Sequence, residues 1–151
     1  MEEVPVASAM PYEVALAMLQ RNGLWLLQLR DDIEGIVHPG TWALFGGHLD
    51  PGETPEQALL RELKEEIDWD APELPLWFVH RESRRVAHFF RGRLTPALTE
   101  LRLLEGQDMV LAPLKEIRSG TVWSPKRQER RALAPSLQRA VLELEREQGL
   151  H

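Results

Sequence analysis

The chain has 151 residues, a formal net charge of −6 at pH 7 and no cysteine. The absence of cysteine excludes a disulfide framework and thiol chemistry, and the length is that of a single domain, residues 1–151, able to bury a hydrophobic core. No apolar stretch reaches the length of a membrane span, and the N-terminal residues lack the apolar h-region expected of a signal peptide, so we expect a cytoplasmic protein. The acidic composition gives no indication of nucleic-acid binding.

The pattern of the chain predicts a mixed α/β fold. Apolar runs at 12–19 and 24–29 flank Asn22-Gly23, which is typical of a β-hairpin. A polar loop at 31–40 follows, and Gly46-Gly47 is expected to form a turn. The other predicted elements are strands at 41–45, 74–81, 86–94 and 109–111, a helical turn at 113–117 and an amphipathic helix that ends at Gly149. Strands that enclose an early helix and are closed by a late helix indicate a mixed β-sheet between helices.

The best-defined predicted element is a helix at 55–67. Thr54 is a good N-cap, Pro55 suits the first helical position, and Gln57 would complete a capping box with Thr54. Four apolar side chains recur at helical spacing and would face a core: Ala58, Leu59, Leu63 and Ile67.

Three carboxylates fall on one turn of this helix. Glu62, Glu65 and Glu66 have i,i+3 and i,i+4 spacing, so their side chains point to one neighbourhood. Oxygen ligands of this kind suit Mg²⁺, which also keeps several waters. An isolated E-x-x-E-E would more often be a solvated helix face, because like-charged pairs cost only about 0.2–0.5 kcal/mol each. The segment from Asp50 to Asp70 nevertheless concentrates eight acids against two bases.

The full pattern from Gly47 to Glu66 is far more specific than its acids alone. It reads G-x5-E-x7-R-E-U-x-E-E, where U is aliphatic, and chance would produce it in roughly one chain in 10⁵. The stretch resembles the Nudix box, the signature of Nudix hydrolases. The resemblance implies an α/β/α sandwich with a mixed sheet and hydrolysis of a pyrophosphate linkage. Asp68 departs from the family pattern, which usually has Gly there, but Asp tolerates a left-handed turn.

The resemblance also implies roles for single residues. Four positions match metal ligands: Glu62, Glu65, Glu66 and the backbone carbonyl of Gly46. Arg61 would orient the carboxylates, and Glu53 would hold Arg61. The implied cofactor is Mg²⁺, for which Mn²⁺ can substitute. In some relatives the residue that matches Glu62 is the general base, but the base varies within the family, so the choice among the box acids stays open.

Three candidate site residues lie outside the box. Glu105 begins a Glu-Gly-Gln sequence that resembles a loop of the MutT-like, nucleoside triphosphate-cleaving branch, where the Glu reaches the metal site. Arg30 ends the second strand, close to the place of an Arg that contacts substrate phosphate in that branch; an ordinary charged strand end is the alternative. Trp123, in a Thr-Val-Trp-Ser-Pro segment that we expect to be a loop, is the candidate for stacking on a base. The tryptophans in predicted strands are expected to pack: Trp25, Trp42 and Trp77.

Two classes of function follow. The first is an enzyme that cleaves a nucleoside diphosphate linked to another moiety: a nucleoside triphosphate giving the monophosphate and pyrophosphate, or alternatively a nucleotide sugar. The second is a non-catalytic module that senses a nucleotide, but such modules in the family typically lose box acids that this chain retains. Arg84 stands where the ADP-ribose-cleaving enzymes of the family have Pro, so the resemblance does not extend to that substrate.

As partners we expect a small nucleotide, no nucleic acid and no membrane, and the sequence is compatible with a homodimer.

Overall fold

The computed structural model describes residues 11–149. Within them the chain forms these strands and helices in order: β1 (Tyr12–Arg21), β2 (Leu24–Leu29), β3 (Trp42–Ala43), β4 (Phe45–His48), α1 (Pro55–Ile67), β5 (Leu76–Arg81), β6 (Arg85–Arg93), β7 (Asp108–Pro113), α2 (Leu114–Arg118), β8 (Thr121–Ser124), β9 (Glu129–Ala132) and α3 (Pro135–Glu147). Every helix in this part of the chain is too short or too polar to span a lipid bilayer.

Strand β1 organises a seven-stranded mixed sheet. It turns into β2 through Asn22 and Gly23, whose φ angles of 53° and 79° give the predicted hairpin. Strand β1 also pairs with β6 in parallel orientation along most of its length and with β4 in antiparallel orientation. Strand β2 pairs with β3 and β7. Because β1 and β2 pair only next to their hairpin, they lead into different parts of the sheet.

The alternation of side chains along β1 separates two hydrophobic cores. Val14, Leu16 and Met18 belong to the core that α3 covers. The intervening side chains of β1 belong to the core that α1 covers. The sheet is therefore packed between helices on both faces, which confirms the predicted α/β/α sandwich. Trp25 and Trp42 are buried in the first core and Trp77 packs against it, as predicted.

The box helix has the predicted bounds, because its local signals all agree. The Thr54 hydroxyl oxygen accepts a hydrogen bond from the Gln57 N–H, and Oε1 of Gln57 accepts one from the Thr54 N–H, which completes the capping box. Asp68 caps the other end with φ 55° and ψ 41°, the left-handed conformation expected there. The four apolar residues predicted to face the core are buried: Ala58, Leu59, Leu63 and Ile67.

Two local predictions are wrong. Gly46-Gly47 is not a turn: both glycines lie inside β4 and pair with Leu16 and Ala15 of β1, because pairing with β1 extends the chain at this point. The predicted strand at 41–45 is correspondingly divided between β3 and β4. The segment around Trp123 is not a loop but one strand of the β8–β9 hairpin.

Candidate active site

A cleft of about 480 Å³ opens where β1 and β2 diverge. The box helix contributes Glu62 and Glu66 to its lining, and the segment before β7 contributes Glu105. Much of the remaining lining is apolar: Tyr12, Val14, Leu16, Ile36, Val37, Ala43, Leu44 and Ala134. The cleft therefore presents acidic groups together with apolar surface.

Two glycines of β4 permit close approaches that a side chain would block. A Cβ on Gly47 would lie 2.7 Å from the Cδ of Glu62, and a Cβ on Gly46 would lie 2.0 Å from the Ala15 carbonyl oxygen. Gly46 also has a φ of 135°, which side chains with L chirality rarely adopt. Its N–H donates a 2.8 Å hydrogen bond to Oε1 of Glu66. Gly47 thus lets the Glu62 carboxyl group lie directly against β4, whereas Gly46 accommodates the close approach of β1 and binds Glu66 through its N–H.

Arg61 lies among the box acids and contacts several of them. Its Nε and Nη2 donate to the two carboxylate oxygens of Glu53 at 2.8 and 2.9 Å. Its Nη1 donates to Glu62 at 2.9 Å and to Glu65 at 3.2 Å, and Nη2 also donates to the His48 carbonyl oxygen at 3.0 Å. These bonds raise the pKa of Arg61 further and lower that of Glu53. The contacts expected of the Glu53–Arg61 pair are present.

Glu66 is the most unusual acid of the cleft. Its side chain is buried, with only 4% exposed. Burial, reinforced by a hydrogen bond with the Glu105 carboxyl group, raises the pKa of Glu66 to about 10, although the Gly46 N–H acts in the opposite direction. Burial also raises the pKa of Glu62, against the lowering effect of Arg61. A buried carboxylate is costly unless it is paired or coordinates a cation, and strongly shifted acids of this kind are common at functional sites.

The segment that carries Glu105 is hydrogen-bonded on both sides of this residue to elements that form the cleft. The Leu104 N–H donates to the Glu66 carbonyl oxygen at 2.8 Å, which attaches the segment to the end of α1. The Gln107 N–H donates to the Leu29 carbonyl oxygen at 2.8 Å, which attaches it to β2. Held between these two elements, the Glu105 carboxyl group meets that of Glu66. The family resemblance implies that Glu105 reaches the metal site, and in the structure its carboxyl group lies beside that of Glu66.

The other two candidates outside the box have different positions. Arg30 lines the cleft, and its Nε donates a 2.8 Å hydrogen bond to the Val37 carbonyl oxygen. Trp123 lies on the β8–β9 hairpin with 41% of its surface exposed and is not among the lining residues. The structure therefore brings Arg30, but not Trp123, to the cleft. Sequence reasoning missed Gln28, which lines the cleft as the one polar residue of the strand LWLLQL.

The donor set fits a divalent cation, although its side chains are not gathered around a common point. Within residues 11–149, no three His, Cys, Asp or Glu side chains form a ready-made metal cluster. One reason is that Arg61 draws Glu62 and Glu65 to itself, while Glu66 accepts from Gly46. Carboxylate oxygens are the ligands that Mg²⁺ prefers. The carboxyl groups of Glu62, Glu66 and Glu105, of which only that of Glu66 is buried, repel one another when ionised and would gain from a cation between them.

Comparison with known proteins agrees with this architecture. The family model described as the NUDIX domain matches residues 10–133. The nucleoside triphosphatase NudI of Enterobacter sp. (strain 638) is 46% identical over 54 residues, which are 36% of this chain and 38% of that protein. NudI of Escherichia coli O1:K1 / APEC is 44% identical over the same length. The chain thus spans only 38% of the length of the curated relatives that it matches.

Solved structures extend the similarity over nearly the whole fold. The MutT NUDIX hydrolase from Burkholderia pseudomallei superimposes with a TM-score of 0.70 at 21% identity, covering 90% of this chain and 99% of that one. The NUDIX domain of Shewanella oneidensis NrtR, complexed with ADP ribose, gives a TM-score of 0.67 at 19% identity, covering 97% and 94%. With the family model matched over most of its length, the chain belongs to the Nudix hydrolase family.

Proposed function

We propose that the protein is a Mg²⁺-dependent hydrolase of the phosphoanhydride bond in a nucleoside diphosphate linked to another moiety. The favoured substrate is a nucleoside triphosphate, cleaved to the monophosphate and pyrophosphate. The observation that carries the proposal is the set of carboxyl groups of Glu62, Glu66 and Glu105 at one cleft. The absence of cysteine and the intact box favour attack by water over a covalent intermediate. The partial likeness to the NudI nucleoside triphosphatases supports the triphosphate.

The side chains divide the work of this reaction. Bound Mg²⁺ would offset the phosphate charge and lower the pKa of a coordinated water. Its proposed ligands are the predicted set: Glu62, Glu65, Glu66 and the Gly46 carbonyl. Arg61, held by Glu53, would keep the box acids oriented, and Arg30 would contact a substrate phosphate. The water proton would pass to a carboxylate, for which Glu62, Glu65 and Glu105 are the candidates.

Two other functions remain as alternatives within the same cleft. A nucleotide sugar contains the same type of bond, and nothing in the lining requires a third phosphate. A nucleotide-sensing module is the second alternative, and the observation that favours it is the fold similarity to the NrtR domain complexed with ADP ribose. Complete retention of the box acids favours the enzyme, because a module that only binds has no need of them.

A panel of nucleotides tests the proposal. Nucleoside triphosphates, nucleotide sugars and ADP-ribose are incubated with Mg²⁺, and phosphate is measured with and without added pyrophosphatase. We expect phosphate from triphosphates only when pyrophosphatase is present, and no turnover in EDTA until Mg²⁺ or Mn²⁺ is returned. Full activity after rigorous chelation would exclude the metal-dependent mechanism. Saturable binding without turnover of any nucleotide would favour the sensing module.

Hydrolysis in ¹⁸O-labelled water identifies the atom that is attacked. Attack at the α-phosphorus places the label in the monophosphate, whereas attack at the β-phosphorus places it in pyrophosphate. Either result supports attack of water on a phosphoanhydride. Label found only in a sugar product would instead indicate attack at carbon and would contradict the proposed reaction.

A further inference from the structure

Gln28 is a buried polar residue in an otherwise apolar strand. Its side chain is 3% exposed, and Nε2 donates a 2.9 Å hydrogen bond to the carbonyl oxygen of Glu105. Gly106 packs so closely on this amide that a Cβ there would lie 2.9 Å from Cγ of Gln28 and 3.1 Å from its Nε2. A buried amide is costly unless it is hydrogen-bonded, so this bond gives the segment a defined position on β2.

The hydrogen bond from Gln28 holds the backbone of Glu105, whose carboxyl group lies beside that of Glu66. On one side of Glu105, Leu104 is attached to α1 through the Glu66 carbonyl oxygen. On the other side, the Gln107 N–H donates to the Leu29 carbonyl oxygen and Gln107 Nε2 donates to that of Arg30, both at 2.8 Å. The hydrogen bond from Gln28 lies in sequence between the attachments at Leu104 and Gln107, and it holds the carbonyl oxygen of Glu105 itself.

We propose that Gln28 is a positioning residue: by holding the Glu105 carbonyl oxygen, it sets the Glu105 carboxyl group beside Glu66 at the metal site. The inference rests on the function proposed above, because it gives Glu105 a part in metal binding and turnover. A purely structural Gln28 would affect stability without affecting those two properties. Displacement of a catalytic group by about 1 Å can lower a rate by two orders of magnitude, so a lost tether should have a measurable effect.

The central variant is Gln28→Met, which preserves length and apolar packing but removes the amide. We expect faster hydrogen exchange at the amides of Leu104 and Gln107, at least ~5-fold weaker Mn²⁺ binding in the absence of nucleotide, and a kcat lowered at least ~10-fold with little change in KM. Gln107→Met removes the neighbouring tether without altering the core and should act in the same direction. Gln138→Met is the control, because that amide also donates to a backbone carbonyl, that of Leu133, which does not belong to the segment that carries Glu105.

A double-mutant cycle with Glu105→Gln separates positioning from an independent role. If Gln28 acts through Glu105, adding Gln28→Met to Glu105→Gln causes little further loss of Mn²⁺ affinity or kcat. Multiplied losses, or unchanged amide exchange in Gln28→Met, would overturn the inference. If Glu105→Gln alone keeps wild-type Mn²⁺ affinity and kcat, the Glu105 carboxyl group does not contribute to metal binding or turnover. The inference that Gln28 positions this group is then also overturned. If no nucleotide is hydrolysed, the proposed function fails separately, and the Mn²⁺ cycle still decides the role of Gln28.

Discussion

Glu66→Gln in metal-free buffer should make the stability of the protein less dependent on pH. Burial, together with the neighbouring Glu105, raises the pKa of Glu66 to about 10 from an ordinary value of 4.5. Because the folded protein holds this proton more tightly than the unfolded chain does, Glu66 contributes stability that is complete below pH 4.5 and is lost as the pH rises toward 10. Glutamine does not titrate, so the variant should not show this loss.

The size of the effect follows from the shift in pKa. Between the ordinary pKa of 4.5 and the raised pKa of about 10, each pH unit lowers the unfolding free energy by about 1.4 kcal/mol. The interval from pH 5 to pH 7 therefore costs about 3 kcal/mol. For a domain of this size that corresponds to roughly 6–12 °C in melting temperature. The substitution also preserves local contacts, because the amide oxygen can still accept from the Gly46 N–H and the amide nitrogen can donate to Glu105.

Thermal melts from pH 5 to pH 8 in EDTA test this reasoning. We expect the melting temperature of the wild type to fall relative to Glu66→Gln as the pH rises, and millimolar Mg²⁺ to raise that of the wild type but not that of the variant. The variant should also lose at least ~10²-fold in kcat. Glu56→Gln, at an exposed position of the same helix, is the control and should behave as wild type. Parallel pH profiles for the wild type and Glu66→Gln would refute the assignment of Glu66 as a buried, protonated acid.

Three further substitutions test the surroundings of this acid. Arg61→Lys preserves the charge but cannot contact Glu53, Glu62 and Glu65 together, so kcat should fall ~10–10²-fold; wild-type kinetics would mean that charge alone matters. Gly46→Ala places a Cβ against the Ala15 carbonyl oxygen at a φ of 135° and should cost roughly 2–4 kcal/mol in urea unfolding. Asp68→Ala should cost about 1 kcal/mol in the same assay, because φ is 55°, whereas Asp68→Gly should not; equal losses would contradict the role of the left-handed turn.

The box helix could be predicted to the residue because all of its signals are local. Thr54, Pro55 and Gln57 define its start within four positions, and the apolar period defines its buried face. The left-handed conformation of Asp68 follows from its place at the helix end. Acids that share one helical turn must share one neighbourhood, so the grouping of Glu62 and Glu66 could also be inferred before the fold was known.

Features that depend on distant partners could not be predicted. Gly46-Gly47 resembles a turn in sequence, but pairing with β1, about thirty residues earlier, makes it part of a strand. Strand β9 reads ERRA, which has no apolar alternation to mark it, so Trp123 could not be placed. Gln28 and Glu105 are 77 positions apart. A lone Gln in an apolar strand shows that a buried partner exists, but it does not say which one.

The box acids fall into two groups: those that contact Arg61, and Glu66, whose charge would have to be balanced by a proton or a metal ion. Arg61 engages Glu53, Glu62 and Glu65, all of which are less buried than Glu66. Glu66 lies beyond its contacts, buried against Gly46 and beside Glu105, so in the absence of a metal ion a proton is its means of avoiding an uncompensated charge. A divalent cation that binds there must displace this proton, which couples metal binding to pH. Because the cation competes with this proton for the Glu66 carboxylate, metal binding should strengthen as the pH rises.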